Sequence, residues 1–195
     1  MNQELLIQSI AKRVPLTADD EKTIGGVLKP RRLKKKTFLH QEGEVQQQVA
    51  FINSGCLRSY SIDKNGTEHI LQFAPAGWWI ADMQSFLNAT PSALNIDAIE
   101  DSEISLISQA DLEALYRAIP AIERYFRILS ERALATFQQR LIDALSLTAA
   151  ERYTNFCRRY PSLIQTLPQK YIASYIGITP EFMSKMLSQP MKKGS

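Results

Sequence analysis

The chain has 195 residues, 45% of them hydrophobic, enough for one large or two small packed domains, so disorder is not its default state. Its net charge of +3 is too small to point to nucleic acid by itself, and two cysteines exclude a disulfide framework, a four-thiolate zinc site and a four-cysteine iron–sulfur cluster. No apolar run approaches the roughly 18 to 20 residues that cross a bilayer, and the amphipathic start MNQELLIQSIAKRV lacks a continuous secretory core, so no membrane contact and a cytoplasmic location are expected.

Helices come first. Asn2 to Val14 is amphipathic and stops at Pro15, and Thr17 with Asp20 and Glu21 predicts a capped second helix. The basic run Arg31 to Lys36 is interleaved with Leu33, Phe38 and Leu39, which favours a solvated, lysine-protected edge strand over a nucleic-acid patch. From Thr37 to Ile107 the texture is β: VAFIN, CLRSYSI, EHILQFA, NIDAI and EISLIS are separated by breaks at Gly43, Gly55 and Pro75-Ala76-Gly77. Asn65-Gly66 in DKNGT predicts a type I′ hairpin turn. This much antiparallel sheet without intervening helices predicts a small barrel or jelly roll.

A long helix is predicted from about Pro120 to Ala144, with Ile122, Phe126, Leu129, Ala133, Phe137 and Leu141 recurring every three or four residues. Its length and apolar side favour pairing with its twin in a homodimer over lying wholly on its own domain. Ser146 to Tyr160 is a further helix with Thr148 as cap and Glu151 at the capping-box position.

Pro168 to Gln189, PQKYIASYIGITPEFMSKMLSQ, reads as two short helices around a tight turn. Ile172, Ala173 and Ile176 share one face of the first, and Ala173 is small where two steeply crossed helices approach. Gly177 ends that helix, Ile178 plugs the turn, and Thr179, Pro180 and Glu181 cap, start and charge the next. Met183, Met186 and Leu187 form an inward stripe. Gln169, Lys170, Thr179, Pro180, Glu181, Ser184 and Lys185 are left as candidate DNA contacts. A plain helical hairpin closing a core would share this turn, but charge distinguishes the two. Residues 150 to 195 hold seven Lys or Arg against two acids, net +5, while the preceding residues are net −2. The tail SQPMKKGS offers no β-hairpin wing; Lys192 and Lys193 are either phosphate contacts or part of a frayed end.

FINSGCLRSY, APAGWWIAD, NIDAIEDSEISLIS and PQKYIASYIGITPEFMSKML, in this order, resemble the Crp/Fnr family of bacterial transcription regulators. SLTAAERY and QKYIASYIGITPE are especially similar to a short Bacteroidetes-type subgroup. The resemblance covers nearly the whole chain. It implies an α+β protein: N-terminal helices with a cyclic-nucleotide-binding-like double-stranded β-helix or jelly roll over 1–117, a dimerisation helix over 118–145, and a helix-turn-helix domain lacking a full wing over 146–195. It also implies a homodimer on palindromic DNA, with an effector pocket at Trp79, Ala81, Asp82, Ser92 and Ala93. In relatives that bind cyclic AMP, a Gly-Glu pair and a downstream Arg hold the ribose and phosphate. Here those positions resemble Ala81-Asp82 and Ser92-Ala93, and no Lys or Arg occurs between Lys64 and Arg117. A buried anion without a cation costs several kcal/mol, so an empty pocket or a neutral or apolar effector is expected.

The family's first recognition-helix Arg appears here as Pro180 and a later one as Lys185, which exchanges bidentate guanine readout for a point charge. His40 and His69 form no close-spaced histidine pair, so solvent-facing turn residues are favoured over a metal site of both with Glu42 or Glu44, and no metal and no cofactor are expected, although a heme-sensing branch stays open through His69. No phosphate loop or nucleophile–base arrangement indicates an enzyme. The alternative function is a ligand-binding or protein-interaction module whose helix-turn-helix no longer reads DNA.

Overall fold

The structure is a computed structural model that describes residues 3–188. The predicted start at Asn2 and the tail lysines Lys192 and Lys193 lie outside the described residues. The chain forms two compact units. The first comprises 1–62 and 71–131, the second 63–70 and 132–195.

In the first unit, α1 (Glu4–Ala11) and α2 (Ala18–Val27) precede the β segments. Thr17 and Asp20 close a reciprocal capping box that starts α2, as their spacing predicts. The strands are β1 (Lys29–Leu33), β2 (Phe38–His40), β3 (Gln48–Ser54), β4 (Cys56–Ile62), β5 (Glu68–Pro75), β6 (Trp79–Ile80), β7 (Asn95–Ala98) and β8 (Ser102–Ser108). They make two four-stranded sheets, β1-β8-β3-β6 and β2-β7-β4-β5, the expected roll. The basic strand β1 is an edge, and its exposed Lys29, Arg31 and Arg32 discourage further pairing.

Alternation divides the side chains of the first sheet between two cores. Ala50, Ile52, Ile104 and Leu106 face the interior of the roll, where they meet Leu57, Ala74, Ile96 and Ala98 of the second sheet. Val49, Phe51 and Ile107 face the other way, onto Leu6, Ile10, Ile24 and the helices that follow β8. Gly55, at φ +84°, joins β3 to β4 where an added Cβ would overlap Ser102 and the Asp101 carbonyl, so glycine is required there.

Two helices escaped the sequence reading. These are α3 (Met83–Asn88) and α4 (Gln109–Ala118). Ser108 caps α4 by accepting from the Asp111 amide, a signal that was legible. The long α5 (Pro120–Ser146) has the predicted extent, and the boundary between the two units falls inside it.

The second unit holds α6 (Ala149–Arg159), α7 (Gln169–Ile176), α8 (Pro180–Ser188) and the turn between β4 and β5. Thr148 and Glu151 form the predicted capping box of α6. The β4–β5 turn departs from the type I′ expectation, because Asn65 keeps a negative φ and only Gly66 is positive, at 80°. The Asp63 carboxylate accepts from the amides of both Asn65 and Thr67, which holds a wider loop instead of the two-residue turn.

Candidate nucleic-acid interface and effector site

Gly177 adopts φ 72°, and the amides of Gly177 and Ile178 close back on the Ser174 and Ala173 carbonyls, ending α7 in a left-handed cap. Ala173 and Met183 are fully buried in the interface of α7 with α8. The Thr179 hydroxyl accepts from the Phe182 amide at 3.2 Å and caps α8, with Pro180 in its first turn where a missing N–H costs nothing. Gln169, Lys170, Thr179, Pro180, Glu181, Ser184 and Lys185 are all exposed. Glu181 and Lys185 lie one turn apart on the same outward face.

Two clasps hold α7. The Arg140 guanidinium lies 3.9 Å from the Tyr175 ring centroid and donates to the Tyr175 carbonyl at 3.2 Å, placing a cation on the last turn of the helix. Tyr175 in turn packs edge-on against Phe156 and Tyr160, and this burial, with Tyr160 beside it, pushes the Tyr175 hydroxyl well above the usual phenol range. On the other side the Ser174 hydroxyl donates to the Glu68 carbonyl at 2.5 Å and accepts from the Ile70 amide at 3.0 Å. That hydroxyl fills hydrogen-bonding positions of the strand backbone.

The effector-pocket residues do not converge as expected. Trp79 and Ile80 are neighbours on one strand, so they point to opposite faces. Ile80 enters the roll, whereas Trp79 packs on Phe51 and Phe126 among the helices and donates from Nε1 to the Tyr125 hydroxyl at 3.1 Å. Ala81 also packs against that helical core, and Ala93 is exposed. Only Asp82 and Ser92 come together. One oxygen of the buried Asp82 carboxylate accepts from the Gln84 and Ser85 amides that open α3, and the other accepts from the Ser92 hydroxyl at 2.6 Å. The Asp82 amide donates to the Gln46 side-chain oxygen at 2.7 Å, and the Gln46 amide to the Ser85 hydroxyl at 2.9 Å. The carboxylate thus takes for itself the amides that could have faced a bound anion.

The buried arginine of the β fold, Arg58, is committed to Asp97 by two bonds of 2.8 and 2.9 Å and stacks on Tyr60 at 4.1 Å. His40 is buried beside Glu44, and desolvation holds its imidazole below the usual histidine range against the opposing pull of Glu44 and Asp82. Burial also pushes the Cys56 thiol up to about 12, which leaves it protonated and inert. His69, the heme candidate, is bonded to the Asp63 carboxylate at 3.0 Å.

The dimer stripe is corrected in part. Ile122 is completely enclosed by its own core, and Phe126 and Leu129 pack against that core. The apolar side chains that α5 leaves in water are Leu134, Phe137, Leu141, Ile142 and Leu145, the last 79% exposed. Ala133 lies among them and is exposed as well. The residue sequence reasoning missed in the reader is Phe182, 52% exposed in the first turn of α8. Its position just outside the Met183-Met186-Leu187 stripe was the available signal.

Comparison with known proteins agrees with this architecture. A cyclic nucleotide-binding domain model matches residues 30–118. The transcriptional activator protein anr of Pseudomonas aeruginosa is 23% identical over 191 residues, covering 92% of this chain and 78% of that protein. The transcriptional regulatory protein btr of Bordetella pertussis is 21% identical, covering 93% and 79%. Among solved structures, FixK2 from Bradyrhizobium japonicum superposes with a TM-score of 0.72 at 22% identity, covering 84% of each chain. No helix among the described residues is long and apolar enough to cross a membrane. Roll, long helix and helix-turn-helix therefore follow one another in this chain, which carries a cyclic nucleotide-binding domain and is similar over nearly its whole length to transcription regulators of the Crp/Fnr type.

Proposed function

We propose that this DNA-binding transcription regulator works in the cytoplasm as a homodimer on a palindromic site, each copy placing α8 in the major groove. The observation that carries this reading is the face of α8: Glu181, Ser184 and Lys185 stand in water while Met183 is buried against α7. Gln169 and Lys170 at the start of α7, with Thr179 and Pro180, supply backbone positioning around that face. The second half of α5 supplies the dimer seam through Ala133, Leu134, Phe137, Leu141 and Leu145, which sets the two recognition helices about 34 Å apart.

The roll takes a neutral effector or none. Asp82 already satisfies the Gln84 and Ser85 amides of α3 with a negative charge, and Arg58 is consumed by Asp97, so a cyclic nucleotide would bring its phosphate to an anionic carboxylate and to a cation that is already paired. The protein's own chemistry is recognition, not turnover.

Selection of DNA from a random library by the full chain tests the first part. A two-fold symmetric site is expected to emerge, and Lys185→Ala is expected to flatten the slope of log affinity against log salt by about one unit. Enrichment of nothing above non-specific binding overturns the reading. Calorimetry with cyclic AMP tests the second part, and micromolar binding would refute it.

A further inference from the structure

We propose that Phe182 is a specificity-determining residue that reads the C5 methyl group of thymine. This inference rests on the DNA-reading function above.

The first turn of a recognition helix is the part that reaches base edges. Phe182 occupies that turn, its amide is fixed by the Thr179 hydroxyl, and half of its surface stands in water. Every large apolar neighbour on α8 has gone the other way: Met183 is buried, and Met186 and Leu187 are half-buried. At 100° per residue, Phe182 lies 60° around the helix from Lys185 and 100° from Glu181, so it forms one margin of the charged face. The segment that carries this face fits a polyanion, because residues 150–195 sum to net +5. The apolar feature the four standard bases present in the major groove is the thymine methyl, which Phe can contact. The first residue of the helix strengthens the assignment: Pro180, two positions before Phe182, offers no side-chain donor, so the start of α8 presents apolar surface there in place of a guanidinium.

The site recovered from the random library is remade as duplexes in which uracil replaces thymine at one symmetric pair of positions at a time, removing only the methyl groups. With the unmodified protein, one pair is expected to lose about threefold to fivefold in affinity per half-site, the fold-change of one buried methyl. Phe182→Ala is expected to bind the thymine duplex more weakly and to be indifferent to that replacement, while Phe182→Leu keeps part of the sensitivity. Placing 5-methylcytosine at the same step is expected to restore part of the contact for the unmodified protein. The proposal is overturned if no thymine is methyl-sensitive, or if Phe182→Ala loses as much as the unmodified protein on uracil. The uracil series uses the unmodified protein, so it stands whether or not a variant folds. Failure to select any site overturns the DNA-reading function itself, and with it this inference; a selected site without methyl sensitivity overturns this inference alone.

Discussion

The two halves of α5 carry the same apolar periodicity and meet opposite fates. Residues 120–131 bury Ile122 and Tyr125 and lean Phe126 and Leu129 on the core, whereas the half from Arg132 onward leaves Leu134, Phe137, Leu141 and Leu145 in water. A repeat of three and four specifies that a helix has an apolar side; it does not specify whose side chains cover it. The first half is covered by its own chain. The second is left exposed, so the seam proposed above begins later along the helix than the repeat alone suggests.

The sharpest way to break this contrast is to damage each half separately. Ile122→Ala, which opens a cavity in an enclosed core, is expected to cost about 2 to 5 kcal/mol in chemical denaturation while leaving the remaining fold able to self-associate. The paired change Phe137→Glu with Leu141→Glu is expected to do the reverse: sedimentation should show a monomer, and the far-ultraviolet dichroism should be unchanged. Like charges facing each other across a helix seam disfavour pairing strongly. A persistent dimer would show that the exposed half of α5 is not the seam.

A smaller effect is expected at Arg140, which belongs to the second half but turns inward to Tyr175. Arg140→Ala should lower the stability of the helix-turn-helix unit by about 1 to 3 kcal/mol, read by hydrogen exchange of the α7 amides, and Arg140→Lys should recover only part because a lysine cannot both stack and donate in the same geometry. Unchanged protection would mean that the stacked cation adds nothing.

The smallest effect is pH-dependent and confined to the first unit. His40 is held neutral in the fold by desolvation, so the unfolded chain takes up a proton first as pH falls. Stability is therefore expected to be level above neutrality, to decline as pH falls through about 6.5 and to level again below the depressed value. His40→Gln should remove that decline, and calorimetric scans between pH 8 and pH 5 would show whether it persists.

Much of the reader was legible in the sequence because its signals are local. Gly177 needs a left-handed cap, Thr179 needs an amide to accept, and both capping boxes, Thr17 with Asp20 and Thr148 with Glu151, act over three residues. The short α3 was not legible, since its cap, Asp82, was read as an effector ligand and its end is a left-handed Ala89 instead of a glycine. Asn65-Gly66 misled for the opposite reason: the dipeptide favours a two-residue turn, but the Asp63 carboxylate offers its neighbours a competing set of hydrogen bonds.

By itself the sequence determined the order of most helices and strands, the reader with its outward Glu181, Ser184 and Lys185, and the lack of any Lys or Arg between Lys64 and Arg117. Those properties depend on residue type and near-neighbour spacing. Only the tertiary structure decided that Trp79 serves the helical core and not the roll, that Asp82 and Ser92 satisfy one another, that Ile122 belongs to its own chain, and that Phe182 stands in water. The reason is physical: which face of an element is buried depends on what packs against it, and those partners come from distant parts of the chain.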